Sequence, residues 1–120
     1  MNPSKMKAWK PLLVVSLFIL NGCNVGSVPH RISGTYVSDL EYLEHQCHVL
    51  DEELLVLEER RDYLYERVEM RYSSNQAKAI LFGVGDGDGP ETVEYSQVLG
   101  RIDAINRVKK KKGCPGSSDS

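Results

Sequence analysis

The sequence lacks an apolar run long enough to cross a membrane as a helix. Its main apolar stretch, residues 11–20, spans about 15 Å at helical rise, roughly half of a bilayer's hydrocarbon core. It also lacks a surplus of basic residues, because the chain has a net charge of −2. No spacing of serine, histidine and aspartate typical of a nucleophilic catalytic site is evident. These shortages argue against a transmembrane helix, a bulk nucleic-acid binder and an enzyme.

The first 22 residues have the pattern of a secretory signal instead. Three lysines and no acid precede the apolar stretch: Lys5, Lys7 and Lys10. The residues that follow, Leu20-Asn-Gly-Cys23, resemble the lipobox of bacterial lipoproteins, with Asn21 as a departure where small residues dominate. The resemblance implies that residues 1–22 are a signal peptide and that Cys23 is lipidated. An ordinary secreted protein with a cysteine at its cleavage site, or an uncleaved N-terminal anchor, is the alternative.

The residue after the cysteine bears on location. In enterobacterial lipoproteins an aspartate at this position favours the inner membrane, and this sequence has Asn24. The resemblance therefore implies a bacterial envelope protein, held by lipid in the outer membrane and facing the periplasm. Removing residues 1–22 removes three of 15 basic residues and no acid, which leaves 12 against 17 and a net charge of −5. We therefore expect no nucleic-acid partner.

A tether and then a long helix are predicted after the signal. Residues 23–36 combine glycine and proline with few apolar residues, which predicts a flexible tether after the lipidated cysteine. Ser38 to Glu41 match a capping box. From there apolar residues alternate in steps of three and four, interrupted by Arg61, and we call them the heptad row: Leu40, Leu43, Cys47, Leu50, Leu54, Leu57, Leu64 and Val68. A first helix is predicted over about 38–72, with a possible extension to 82.

The rest of the chain predicts a turn and a second helix. Residues 83–90 are rich in glycine and predict a turn. A second apolar stripe predicts a helix over about 91–112: Val98, Leu99, Ile102, Ile105 and Val108. The lysines at 109–112 predict a solvated helix end, and residues 115–120 a disordered tail. The predicted fold is all-α, an antiparallel helical hairpin or coiled coil over residues 37–114.

Two cysteines remain once Cys23 is assigned to lipid. Cys47 and Cys114 form an even pair in an oxidising compartment. If the first helix continued to Phe82, they would be misaligned by roughly 18 Å, whereas a disulfide allows about 7 Å between α-carbons. A first helix that ends near Tyr72 would align them. A buried thiol with a free tail thiol, or an intermolecular bridge, remains an alternative.

The core also resembles, loosely and over residues 44–114, a group of small bacterial lipoproteins of undetermined function. The matching segments are Cys47-His-Val-Leu50-Asp-Glu52, Gly85-Asp-Gly-Asp-Gly89, Leu99-Gly100 and Lys112-Gly-Cys114. The resemblance implies a hairpin stapled at its open end by Cys47 and Cys114, and it implies no activity or cofactor. We expect that open end to lie nearest the lipid.

Two surfaces are candidates for binding. Tyrosine and arginine are enriched at protein interfaces, which favours a partner surface near the end of the first helix. Its predicted members are Tyr63, Tyr65, Arg67 and Tyr72. If the first helix begins at residue 38, His45 and His48 would share a face with Glu41 and Glu52, which is an alternative zinc or copper site.

The predicted function is that of a structural or adaptor lipoprotein that contacts a protein partner in the envelope. The heptad row must pack against something, because an isolated helix gains little stability from propensity alone. One alternative is a self-associating coiled coil, in which the leucines at 43, 50, 57 and 64 pair across two chains. The other is a periplasmic metal-binding protein. We expect no cofactor, and either a monomer or a coiled-coil dimer.

Overall fold

The computed structural model describes residues 24–116, and this range is helical without strands. In chain order it contains two short 3₁₀ helices, Pro29–Arg31 and Asp39–Glu41, and two long helices, α1 (Cys47–Phe82) and α2 (Pro90–Lys112). The helices α1 and α2 pack against each other as an antiparallel hairpin. The predicted all-α hairpin is therefore confirmed. The predicted signal peptide, Cys23 and residues 117–120 lie outside the described residues.

The core lies between the two long helices. Four residues of the heptad row are buried on α1: Leu50, Leu57, Leu64 and Val68. They face the apolar stripe of α2, whose buried residues are Val98, Ile102, Ile105 and Val108. Burying such a side chain stabilises a fold by about 1.5–3 kcal/mol. Because α2 covers these four residues of α1 within one chain, they are not exposed for pairing with a second copy.

The predicted start of the first helix at residue 38 is wrong. The Ser38 hydroxyl does accept a hydrogen bond from the Leu40 N–H, at 3.3 Å, but it caps only a 3₁₀ helix that ends at Glu41. Tyr42 is then fully buried, and the chain changes direction before α1 begins at Cys47. Leu40 and Leu43 consequently fall outside the helix. Their side chains are 76% and 40% exposed, respectively.

The first helix ends at Phe82, so the predicted extension to 82 is confirmed and the end near Tyr72 is wrong. Helix α1 continues to Phe82, where Gly83 adopts a left-handed conformation (φ 82°) and donates its N–H to the Ala79 carbonyl at 2.9 Å. Residues 83–89 return along α1 without helical structure. An extended chain advances about 3.3 Å per residue against 1.5 Å in a helix, so a short connection retraces the overhang of residues 72–82. Helix α2 therefore begins beside Arg71, which pairs with Glu91.

A disulfide joins Cys47 to Cys114 in the structure. Their α-carbons are 5.6 Å apart, and the two residues are 67 positions apart in sequence. The bond lies at the end of the hairpin opposite the turn, which we call the far end. The long first helix and the disulfide coexist because the connection retraces the overhang.

The prediction of a flexible tether over residues 23–36 is wrong for the residues that the structure describes, because residues 24–37 lie along the hairpin. The Thr35 N–H donates to the Ser96 carbonyl at 2.9 Å. Farther back, the Ser27 N–H and hydroxyl donate to the two carboxylate oxygens of Asp88 at 2.6 and 2.7 Å. At Gly100 any β-carbon would overlap the Thr35 carbonyl oxygen. The missing side chain allows this backbone contact, which hydropathy patterns do not record.

The lysine run at 109–112 is a solvated helix end, as predicted, at Lys110, Lys111 and Lys112, but Lys109 is buried and the run also holds the chain at the far end. Lys109 is only 6% exposed, and its ammonium lies 2.5 Å from the Asp51 carboxylate. The Lys112 ammonium donates to the Leu43 carbonyl at 3.0 Å. The Asp39 carboxylate accepts hydrogen bonds from Lys111 and Arg107. Both lower the pKa of Asp39, and the bond from Lys111 has the larger effect.

Candidate functional site

Three segments meet at the turn end of the hairpin, which we call the closed end, and Asn75 joins them. Its side chain is 1% exposed. The amide nitrogen donates to the Gly87 carbonyl at 2.7 Å and to the Val25 carbonyl at 3.3 Å. The amide oxygen accepts the Asp86 N–H at 3.0 Å. One side chain therefore connects α1, the connection and the N-terminal segment, and every polar atom it carries is used.

The described chain begins at this closed end. Asn24 is so close to the connection that a β-carbon at Gly85 would lie 2.5 Å from the Asn24 carbonyl oxygen, and one at Gly87 would lie 2.6 Å from its amide nitrogen. From here the N-terminal segment runs toward the far end. The expectation that the open end lies nearest the lipid concerns Cys23, which lies outside the described residues; the first described residue, Asn24, lies beside the turn.

Four large apolar side chains stand exposed at the same end, and we call them the apolar tip. Their exposed fractions are 84% for Ile80, 74% for Leu81, 77% for Phe82 and 59% for Val84. The stretch from residue 79 to residue 85 carries no charge. The tip is exposed because residues 72–82 extend beyond the start of α2. In the sequence, an uncharged apolar run outside the heptad row is the signal for this tip.

The charged groups around the closed end are paired. Lys78 forms an ion pair with Asp86, and this hydrogen bond lowers the pKa of Asp86. Arg71 pairs with Glu91, lowers the pKa of that carboxyl and has its own pKa raised. The acids of the glycine-rich connection thus bind the protein's own lysine and, through Asp88, the N-terminal segment.

The predicted tyrosine and arginine surface is not one face. Tyr63 and Tyr65 are two residues apart, which is about 200° around a helix. The ring of Tyr65 packs edge-on against Tyr95 at 6.1 Å between centroids. Tyr63 is 52% exposed, and the Arg60 guanidinium lies 5.1 Å from its ring centre. Of the remaining predicted members, Arg67 is exposed and the Tyr72 hydroxyl accepts a hydrogen bond from Gln76 at 3.0 Å.

A different exposed stripe follows α1 on its solvent side. Val56, Tyr63 and Met70 are spaced by seven residues and are 65%, 52% and 55% exposed, and Leu55 beside them is 69% exposed. We call these four residues the outer stripe. Seven-residue spacing keeps side chains on one side of a helix, as a packing partner requires. Sequence reasoning found Tyr63 but missed the others, because the stronger heptad row masked the same spacing here.

The alternative metal site does not form as predicted. His45 lies before α1, so it does not share a helix face with His48. The His45 Nδ1 atom lies 3.9 Å from a Glu53 oxygen, and His48 is exposed. Across residues 24–116 no three histidine, cysteine, aspartate or glutamate side chains converge on a metal position. None of the helices in this range is long and apolar enough to cross a bilayer.

No protein-family model matches the chain, and neither a curated protein nor a solved structure matches it. Its function is therefore argued from its own residues.

Proposed function

We propose that the protein is a lipid-anchored envelope protein, attached through Cys23 to the outer membrane on the periplasmic side, and that its hairpin serves as a structural or adaptor element. The observation that carries this proposal is the position of Asn24 against Gly85 and Gly87. The segment that follows the lipobox-like sequence begins at one end of a rod. The other end, at Cys47, is about 52 Å along α1 at helical rise. An anchor at one end and a free end at the other suit a spacer or adaptor.

The disulfide between Cys47 and Cys114 supports the compartment. Disulfides persist in oxidising compartments, of which the bacterial periplasm is one. The disulfide and the paired lysines both lie at the far end. A secreted or surface-tethered hairpin with a thin core benefits from such a covalent link.

Metabolic labelling tests the anchor. Cells that express the full chain would be fed an alkyne-bearing palmitate, and the purified protein would be coupled to a fluorophore. The expected result is a labelled protein in the outer-membrane fraction and loss of both label and membrane association for Cys23→Ser. An unlabelled wild-type protein, or equal labelling of the Cys23→Ser variant, would refute lipidation at Cys23.

The outer stripe supports the adaptor role. Exposed apolar side chains repeated every seven residues can pack against a partner helix, and tyrosine in particular is enriched at protein interfaces. The heptad row does not provide this surface, because α2 already covers it. The partner would therefore pack on the solvent side of α1, along Val56, Tyr63 and Met70.

Site-specific photocrosslinking in intact cells tests this surface. A photoreactive amino acid at 56, 63 or 70 is expected to yield the same crosslinked product at each position. Asp103 and Asn106, which are exposed on α2, are matched control positions. Monomer alone from every stripe position would contradict the adaptor role. A product of twice the chain mass would favour a self-associating lipoprotein that uses the outer stripe instead.

We propose no catalytic role. An open groove between the N-terminal segment and α2 is lined by Ser27, Thr35, Asp88 and Ser96, among others. Its polar groups bond to one another: Asp88 accepts from Ser27, and the Thr35 and Ser96 hydroxyls lie 2.9 Å apart. These bonds hold the N-terminal segment on the hairpin, which gives the groove a structural role.

A further inference from the structure

The apolar tip and the start of the described chain lie at the same end of the hairpin. We infer that the apolar tip inserts into the membrane leaflet that holds the lipid of Cys23, so that the hairpin has a second, non-covalent contact with the bilayer. The inference rests on the proposed lipidation of Cys23. It concerns the tip residues Ile80, Leu81, Phe82 and Val84 and assigns the bilayer as what covers them.

The tip is not needed to form the hairpin. Helix α2 begins beside Arg71, so the last turns of α1 have no helical partner. The connection covers one side of this overhang through Asn75, and three of the four tip residues are the last residues of α1. Because successive helix residues point about 100° apart, Ile80, Leu81 and Phe82 surround the end of α1, and Val84 of the connection follows directly. Together these exposed apolar groups form an end surface of the kind that marks a binding site.

The bilayer is the medium expected to cover the tip, because the described chain begins next to the tip. Asn24 contacts Gly85 and Gly87, next to Val84 in sequence. Val25 shares a shallow groove with Ala79 and Ile80. Acyl chains on the residue before Asn24 would therefore be attached at the same end of the hairpin as the tip. The nearest apolar medium available to these side chains is then the hydrocarbon of the same leaflet.

The charges at the closed end allow this contact. The uncharged stretch 79–85 is bounded by Lys78 and Asp86, and these two form an ion pair with each other. Side chains of an interfacial helix enter about 5–10 Å into the boundary between headgroups and acyl chains, and paired charges at that depth remain among the headgroups. One lipidated residue and one apolar patch would hold the rod at two neighbouring points. The hairpin would then project from the membrane with its far end outermost.

Tryptophan fluorescence in the full, processed protein tests the inference. The chain has one tryptophan, Trp9, which lies in the predicted signal peptide and is removed if Cys23 becomes the first residue. A Phe82→Trp reporter is then the only tryptophan, and Leu40→Trp, 76% exposed toward the far end, is the matched control. Each protein is reconstituted in vesicles of phosphatidylethanolamine and phosphatidylglycerol, with and without bromine on the acyl chains. Circular dichroism verifies that each variant remains helical.

The expected result is a blue-shifted Phe82→Trp emission that loses most of its intensity to the brominated chains, with no loss for Leu40→Trp. Mass spectrometry of the same samples separates the two proposals. If the lipid mass is present and both reporters are quenched equally or not at all, the tip does not insert and the anchor stands. If the lipid mass is absent, the proposed anchor fails, and the inference that rests on it fails as well.

Discussion

Asn75→Ala is predicted to open the closed end of the hairpin. The amide of Asn75 makes three hydrogen bonds to two other segments, and alanine makes none of them. The carbonyl of Gly87, a buried residue, is then left without this partner, at a cost of about 1–3 kcal/mol. The Asp86 N–H and the Val25 carbonyl belong to more exposed residues that water can reach, so each loss costs about 0.5–1 kcal/mol. The predicted total is about 2–5 kcal/mol.

Two measurements on Asn75→Ala separate a local from a global effect. Urea unfolding, followed by circular dichroism, reports the free energy of unfolding of the whole hairpin. Hydrogen exchange of the Asp86 amide reports opening of the connection alone. Asn75→Ala is expected to lower the free energy of unfolding and to speed exchange of the Asp86 amide. The free energy of opening at Asp86 is expected to fall by more than the free energy of global unfolding, because the disulfide still holds the far end. Ser74→Ala, at an exposed neighbouring position of α1, is the control.

Asn75→Asp sharpens the test because it keeps the acceptor for Asp86 and removes the donor to Gly87 and Val25. Because its carboxylate would be buried against the carbonyl oxygens of Gly87 and Val25, Asn75→Asp is expected to destabilise the closed end at least as much as Asn75→Ala at neutral pH. If Asn75→Ala costs no more than Ser74→Ala and leaves exchange at Asp86 unchanged, the three-segment role of this amide is refuted.

Three further changes have defined outcomes. Gly100→Ala is expected to displace the N-terminal segment from Thr35 and to expose residues 24–37 to protease, although alanine favours a helix by about 1 kcal/mol; resistance equal to that of the exposed control Asp103→Ala would contradict this. Joint replacement of Cys47 and Cys114 by serine is expected to lower the free energy of unfolding by about 4 kcal/mol in urea titrations, whereas a loss below about 1 kcal/mol would indicate a strongly restricted unfolded chain. Three carboxyls have a pKa lowered by a paired cation: Asp39, Asp86 and Glu91. Because their pKa is lower in the folded state, they stabilise the fold above the unfolded pKa values of about 4, and this contribution is lost as pH falls through the lowered values. The urea concentration at the unfolding midpoint is therefore expected to decrease as the pH is lowered below about 4, and to decrease less in high salt. A midpoint that increases on acidification would contradict the pairing.

Local patterns were sufficient to predict the two helices. Leu50, Leu57 and Leu64 repeat at a period that only a helix brings to one face, and the glycine-rich stretch ends the first helix at Gly83. The start of the first helix was predicted wrongly because a serine cap such as Ser38 can begin a 3₁₀ helix as well as an α-helix. The burial of Tyr42 separates this 3₁₀ turn from α1. No local pattern contains that tertiary contact.

The closed end was harder to predict for a geometric reason. Matching the arms of the hairpin residue by residue assumed helical rise on both sides, so the disulfide seemed to require an end near Tyr72. An extended return path has more than twice the rise per residue, which removes the mismatch. The role of Asn75 could not be predicted locally, because its amide bonds to residues outside the helix. Gly100 within an apolar stripe was the available signal for the docked N-terminal segment, because a glycine inside a helix usually has a packing reason.

The disulfide also determines how the protein would carry a mechanical load. A pull between Asn24 and the chain beyond Cys114 passes along residues 24–47, crosses the two sulfur atoms and bypasses the 67-position loop that contains both helices. The helices are then outside the covalent load path, and force reaches them only through side bonds such as that of Thr35 to Ser96. Reduction of the disulfide would place both helices in that path.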